Sequence, residues 1–335
     1  AGVAGASGGF LGVSLFFTLS GFLITSLLVD EFERTDGVSL GRFYLRRVRR
    51  LLPAAYLCLL LVAVWGGWWT AQQQRNLPGD LIASVANVAN WRFAVADASY
   101  AELLSGASAS PVAHFWSLAI EEQVYLVLPV VMLLALRGGR RRAAAVVGVL
   151  LALSVGATLM TEDRDLVYNA THTRAAEVLV GAALALVMVG RRLPGGGWRA
   201  VPGVNRATAS AAGVGFLVRI VVASVDQGWF YRGGLPLVGL LSAVVITAVI
   251  TNKLPVLDAR PLVAVGAVSY GIYLFHWPVF LLHDPARTGL DGPTLFALRC
   301  AVTAVLTMAS YRLVEQPVRT GQVARRNPVM LVVVG

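Results

Sequence analysis

The chain has 335 residues, of which 57% are hydrophobic and 14% charged, with a mean hydropathy of +0.70. Soluble domains carry about 25% charged residues, so composition excludes a water-soluble domain, a disordered segment, a coiled coil and a disulfide-built secreted scaffold. The net charge of +10 comes from arginines grouped between apolar runs, which ties it to orientation in a bilayer and not to nucleic acid.

At ~20 residues per crossing plus loops, this length accommodates roughly ten helices. In chain order the predicted spans are Phe10–Val29, Ala54–Trp69, Trp116–Leu136, Ala143–Met160, Ala175–Val189, Ala207–Val225, Leu235–Thr251, Pro261–Leu282 and Thr294–Leu313. Another apolar run starts at Pro328. The stretch Leu81–Ala96 is interrupted by Asn87, Asn90 and Arg92, which predicts an interfacial or re-entrant segment instead of a crossing. If the Arg42–Arg50 cluster is cytoplasmic and each span crosses once, twenty Lys and Arg residues face the cytoplasm and six face outward. That is the bias of the positive-inside rule. Trp65, Trp68 and Trp69, and also Trp229–Tyr231, then fall at outer edges, the depth that amphipathic rings favour. Cys58 and Cys300 each lie within an apolar run, which predicts two buried thiols and no disulfide framework. The Gly/Ser/Ala start Ala1–Gly9 runs straight into a span, so a preceding helix is expected; the run from Pro328 is expected to begin a further one. The expected fold is all-α, a polytopic transmembrane helix bundle with about nine complete crossings.

Ionisable groups at membrane depth cost about 2.5–3.5 kcal/mol each on insertion scales, so they are functional candidates by default. Five stretches carry them. Arg46, Arg47, Arg49 and Arg50 are spaced along one side of a short helix, with Arg47 and Arg50 positioned to converge on one anion; a topology determinant touching anionic lipid fits the same pattern. His114, Trp116, Ser117, Glu121, Glu122 and Gln123 open a hydrophobic helix. A histidine and a carboxylate two turns apart are suited to general-base or proton-relay work, whereas solvated carboxylates at a helix start are the plainer reading. Arg174 and Glu177 are three apart and neutralise each other, with Thr173 as a helix cap. Ser269, Tyr273 and His276 share a helix face beside Tyr270, and Pro278 loosens the backbone nearby. His276 and His283 share a face as well, but no carboxylate lies between them, so no metal is expected. Glu315 pairs with Arg312 or Arg319 at the inner end of the last complete span. There is no G-x-S-x-G elbow, Walker A loop or G-x-G-x-x-G, so neither a serine hydrolase nor ATP-driven work is signalled.

Taken in order, these stretches resemble the acyltransferase-3 family of bacterial integral-membrane O-acyltransferases of the cell envelope. Gly8–Ile24 resembles the family's second helix, Phe43–Pro53 its cytoplasmic arginine motif, and Trp116–Tyr125 its Trp-Ser-Leu…Glu-Glu-Gln…Tyr motif; Thr171–Arg174, Ser269–Pro278 and Glu315–Arg319 follow. Ser14 and His172 stand where many members carry Asp. The resemblance implies a multi-pass protein of the bacterial plasma membrane with ten helices in its core. On that reading residues 1–327 are a membrane acyltransferase domain lacking its first helix, which carries the main catalytic histidine. Residues 328–335 begin a further helix leading to an extracytoplasmic SGNH-type domain.

The implied reaction moves an acyl group, acetyl above all, from cytoplasmic acyl-CoA to a hydroxyl of an envelope polysaccharide, glycolipid or related acceptor. Arg46, Arg47 and Arg50 would hold the acyl-CoA phosphates, and Glu121, Glu122, His114 and His276 would serve the chemistry. Trp116, Ser117, Arg174, Tyr270 and Glu315 would bind substrate, with Trp116, Tyr270 and His276 lining the acceptor side. A thioester is already activated, so no metal is called for. The alternative is a polytopic transporter or flippase for a glycan or lipid-linked intermediate, which also needs polar groups at depth but shows repeated halves that are absent here.

Overall fold

The structure, a computed structural model, describes residues 7–95, 109–192, 197–199, 201–223, 227–251 and 259–320. Among these residues the regular structure is helical, and eight helices are long and apolar enough to cross a membrane. A bilayer leaves no water for backbone groups, so helices that satisfy their own N–H and C=O groups are the natural solution. The principal helices are α1 (Leu11–Thr35), α2 (Leu40–Val64), α3 (Ala71–Val85), α4 (Ala89–Ala94), α5 (Phe115–Leu136), α6 (Arg140–Met160), α7 (Arg164–Asn169) and α8 (Thr171–Val189). After them come α9 (Arg206–Val222), α10 (Gly234–Thr251), α11 (Arg260–Leu282), α12 (Pro285–Thr288), α13 (Gly292–Ser310) and α14 (Gln316–Arg319).

The predicted spans are recovered with shifted ends. The largest shift is at α2, which runs unbroken through Pro53 and carries the arginine cluster on its first half. The expected short surface helix and the span after it are one element. The span expected at Ala207–Val225 is the 17-residue α9, at the lower limit of crossing length. The stretch expected to be interfacial or re-entrant forms the end of α3 and the six-residue α4, with Asn87 between them at φ 54°. Neither helix is long enough to cross. The run from Pro328 lies outside the described residues.

Two further expectations are corrected. Cys300 is exposed on α13, while Cys58 is buried. Trp69 is not an interfacial ring: it is buried, and its indole N–H donates to the Val62 carbonyl at 2.9 Å. Trp68 beside it is exposed.

The chain forms two compact units. The first comprises Ala1–Val38, Asn90–Ala101 and Trp116–Leu254. Within it α8 is central, packing against α1, α6 and α10. Gly21 and Gly181 bring α1 and α8 together backbone to backbone: a Cβ on Gly21 would collide with the Val178 carbonyl, and one on Gly181 with that of Thr18. Small residues at such crossings are how membrane helices reach close packing. The second unit comprises Ser39–Ala89, Glu102–Phe115 and Pro255–Gly335. There α11 packs along α13, and α2 packs against α3, α11 and the π turn Tyr311–Glu315 that follows α13.

Candidate functional site

In the first unit the site is built around the junction of α7 and α8. Asp163 caps α7 by accepting from the backbone N–H groups of Asp165 and Leu166 at 2.8 and 3.1 Å. Ala170 is extended and ends that helix, and α8 starts at Thr171. The break leaves carbonyls without helical partners. The Thr173 hydroxyl serves them, lying 2.8 Å from the Ala170 carbonyl and 3.0 Å from that of Val167. Thr173 was expected as an N-cap; it is a donor inside the first turn, and Ala170 holds the cap position.

This junction turns Arg174 inward. Arg174 and Glu177, each 1% exposed, form an ion pair with Nε 3.1 Å from Oε2, the pairing expected from their spacing. Arg174 Nη2 donates to Ser14 Oγ at 3.4 Å. The guanidinium lies over three rings, 5.0 Å from the Tyr168 centroid and 5.5 Å from those of Phe17 and Trp116. Its Nη1 has no hydrogen-bond partner among the described residues. A desolvated cation walled by aromatic faces gains more from them than a hydrated one. Its remaining donor is suited to an incoming carbonyl or anionic oxygen.

Two polar networks stand beside this cluster in the same unit. Tyr125 donates to Ser20 Oγ across 3.0 Å, because the Ser20 proton is committed to Glu121 Oε1 at 2.7 Å. Glu121 is buried and Glu122 half-buried. Gln123 donates to Asn90 Oδ1 at 2.9 Å, Asn90 donates to the Asn169 carbonyl and to Thr171 Oγ1 at 3.0 Å each, and Thr171 donates back to Gln123. Trp116 and Ser117 are buried at the start of α5.

The second unit holds a different cluster. The turn Pro111–His114 places the His114 ring 5.7 Å from the Tyr273 ring and 5.9 Å from the His276 ring, centroid to centroid. Tyr273 donates to the His114 carbonyl at 2.9 Å. Burial, reinforced by His276, holds the His114 imidazole well below the usual histidine range, so it is neutral at pH 7. His276 Nδ1 is 2.6 Å from the Tyr273 carbonyl. A carbonyl only accepts, so Nδ1 carries the proton and Nε2 keeps its lone pair. The segment before α5 is fixed by α3 and α11. Gln73 donates to the Ala109 carbonyl at 2.9 Å, Ser110 Oγ to Asp80 Oδ2 at 2.7 Å, and the Trp277 indole to the Ser110 carbonyl at 2.8 Å.

The same unit contains a small hollow of about 60 Å³ lined by Arg49, Arg50, Tyr270, Tyr311, Glu315 and Arg319. Tyr270 is tied to the Leu51 carbonyl at 3.0 Å, and Glu315 accepts from Ser310 Oγ at 3.0 Å. Three guanidinium groups around one hollow suit a phosphate group. Arg46 and Arg47 lie on the same helix but do not line it; the Arg47 guanidinium sits 5.6 Å over the Phe43 ring. Asp80, Gln73 and Ser20 were not singled out by sequence reasoning, and Arg49 and Arg319 were noted without a part in a phosphate site. Asp80 carried a usable signal, as the only acid between Ala71 and Ala94. Arg49 carried one too, inside the arginine run already noted.

Residues 3–312 match the acyltransferase domain family. The chain belongs to it. The acyltransferase domain is 35% identical over 329 residues to the peptidoglycan O-acetyltransferase OatA of Listeria monocytogenes, covering 94% of this chain and 52% of that protein. It is 36% identical over 330 residues to YrhL of Bacillus subtilis, named as a candidate peptidoglycan O-acetyltransferase, covering 94% and 51%. A candidate O-acetyltransferase of Staphylococcus aureus is 30% identical over 323 residues, covering 93% and 53%. The chain therefore spans about half the length of the curated relatives it matches. No solved structure matches it. Family membership favours group transfer over the transporter or flippase alternative.

Proposed function

We propose that this domain moves an acyl group, acetyl above all, from cytoplasmic acyl-CoA to a hydroxyl of a cell-envelope glycan across the bacterial plasma membrane. The names of its relatives make peptidoglycan the first acceptor to try. The observation that carries the reading is a set of ionisable groups on or beside membrane-length helices, the buried Arg174 and Glu177 in one unit and the buried His114 with the half-buried His276 in the other. Such groups are retained at this cost where they act.

In this reading the donor's phosphates lie against the arginine-bearing end of α2. Arg46, Arg47 and Arg50 are the groups expected there, and Arg49 and Arg319 join Arg50 around the hollow. The acceptor oxygen attacks the thioester carbonyl carbon, the C–S bond breaks, and the hydroxyl proton passes to the open Nε2 of His276 and on to the CoA thiolate. In the first unit Arg174 and Trp116 are the groups offered to the acceptor and Glu121 is oriented by Ser20; in the second Tyr270 and Glu315 belong to the donor-side hollow.

The test is acetyl transfer by the full-length protein in lipid nanodiscs, followed with labelled acetyl-CoA. His276→Asn is expected to lower the rate by about 10²–10⁴-fold with the fold intact. Arg50→Ala is expected to raise the KM for acetyl-CoA. Transfer at the wild-type rate and wild-type CoA dependence in both variants would overturn the assignment.

A further inference from the structure

The first unit has a large hollow that the reaction scheme leaves unused. It measures about 1070 Å³ and is lined by Glu162, Arg164, Trp229, Tyr231 and Arg232, among others. It lies where α6 ends, α7 begins and the turn Gly228–Tyr231 leads into α10. The charge bias of the loops puts this rim on the outer face. The hollow is far larger than a phosphate needs and sits at the upper end of small-molecule sites.

Its chemistry is mixed. Trp229 is 37% exposed, and its ring is seated against Gly234, where a Cβ would collide with the indole. The indole N–H donates to Gln227 Oε1 at 3.1 Å, which fixes the plane of the ring. Arg164 lies 5.7 Å over the Tyr231 ring. A fixed indole beside two guanidinium groups and a carboxylate matches a sugar: C–H faces stack on the ring, and hydroxyls accept from Arg and donate to Glu. A lipid tail would leave those charges unanswered, and a phosphate group would leave the ring unused.

The hollow also leads inward. Tyr231 is 6.4 Å from Tyr168, ring to ring, and Tyr168 is the ring closest to the Arg174 guanidinium. Two tyrosines therefore separate the outer hollow from the buried ion pair. We infer that this hollow is the docking site of a saccharide acceptor, held on Trp229 between Arg164, Arg232 and Glu162, with its reacting hydroxyl directed past Tyr231 and Tyr168 toward Arg174. The inference rests on the transfer reading above and gives its glycan acceptor a docking site.

The experiment is binding of a soluble peptidoglycan disaccharide to the full-length protein in nanodiscs, read by saturation-transfer NMR and calorimetry. Trp229→Ala and Arg232→Ala change exposed side chains and leave the fold intact. Each is expected to weaken the disaccharide by about tenfold while acetyl-CoA binding is unchanged. Gly234→Ala, which displaces the indole without removing it, is expected to act in the same direction. No binding by the wild type, or equal binding by wild type and variants, would overturn the site. Acetylation of a side chain of the protein itself, without saccharide binding, would replace the saccharide with a protein acceptor and overturn it too. Saccharide binding that depends on Trp229 with no acetyl transfer from acetyl-CoA would leave this site standing and remove the transfer reading.

Discussion

The two units bury polarity in opposite ways. In the first, a full charge is kept at depth: Arg174 is answered by Glu177, by Ser14 and by three aromatic faces. In the second, His276 and Tyr273 are tied to backbone carbonyls and His114 is held neutral by burial. A buried ion pair gives a strong local field but depends on both members being present. Neutral rings bonded to backbone give a weaker field and fail more gently. The comparison teaches that the first unit spends its buried polarity on a mutually dependent charged pair and the second on rings held in place by backbone carbonyls.

The largest expected effect breaks the first unit at its pair. Arg174→Ala leaves the Glu177 carboxylate buried and alone, which costs about 3–5 kcal/mol. Replacing both, Arg174→Met with Glu177→Leu, is expected to cost much less, because two apolar side chains of similar size need no partners. Thermal unfolding in detergent of the wild type, Arg174→Met, Glu177→Leu and the double variant gives the cycle. Equal losses in the single and double variants would show that the pair does not hold this cluster together.

A second test compares how the units pack. Gly181→Ala drives a methyl into the Thr18 backbone, which cannot move without shifting α1, and is expected to cost 1–3 kcal/mol, about the range for overpacking. Gly271→Ala in the second unit meets the Thr307 methyl at 2.9 Å, a side chain that can rotate away. It is expected to cost less, and a Tm loss equal to that of Gly181→Ala would show that the second unit is packed as tightly as the first.

Much of this was legible in the sequence, and the exceptions have physical causes. The apolar spans could be read because a bilayer demands long runs, and the Arg174–Glu177 pair because its members are three residues apart on one helix. The arginine cluster was expected on a separate short helix, with the span starting after Pro53 at Ala54. Yet Pro53 removes a single helical hydrogen bond and α2 continues through it. The contacts that define the clusters join residues far apart: Ser20 to Glu121, Asp80 to Ser110, Tyr273 to His114. No local pattern encodes those pairings. Trp69 and Cys300 were misplaced for a related reason, since apolar surroundings in sequence do not say whether a side chain faces protein or lipid.

Acid sharpens the comparison next. The folded imidazole of His114 is held below its ordinary value of about 6.5, facing His276 and Tyr273. As pH falls through about 6.5 the unfolded chain takes up a proton at this position and the folded chain does not. Stability is therefore present above that pH and declines below it, by at most about 1.4 kcal/mol per pH unit. His114→Gln is expected to flatten that part of the curve measured by thermal unfolding between pH 7 and pH 5. An unchanged curve would mean that His114 takes up its proton in the folded protein as readily as in the unfolded chain.

The smallest effect is expected for Asp80→Asn, at a residue that acts on His114 only through the backbone. Its carboxylate accepts from Ser110, four residues before His114, and the Ser110 carbonyl in turn accepts from Trp277. Asp80→Asn keeps an acceptor oxygen in place and exchanges a charged hydrogen bond for a neutral one, a loss of about 1 kcal/mol or less. Asp80→Ala removes the acceptor and leaves the Ser110 hydroxyl buried, which costs about 1–3 kcal/mol. If Asp80 positions the His114 turn, Asp80→Ala lowers kcat with little change in the KM for acetyl-CoA, and Asp80→Asn restores most of it. Were Asp80→Asn as damaging as Asp80→Ala, its charge would matter more than its geometry. The second unit would then depend on the charge of its buried Asp80 carboxylate as the first depends on its ion pair, and the contrast between the two units would narrow to one of degree.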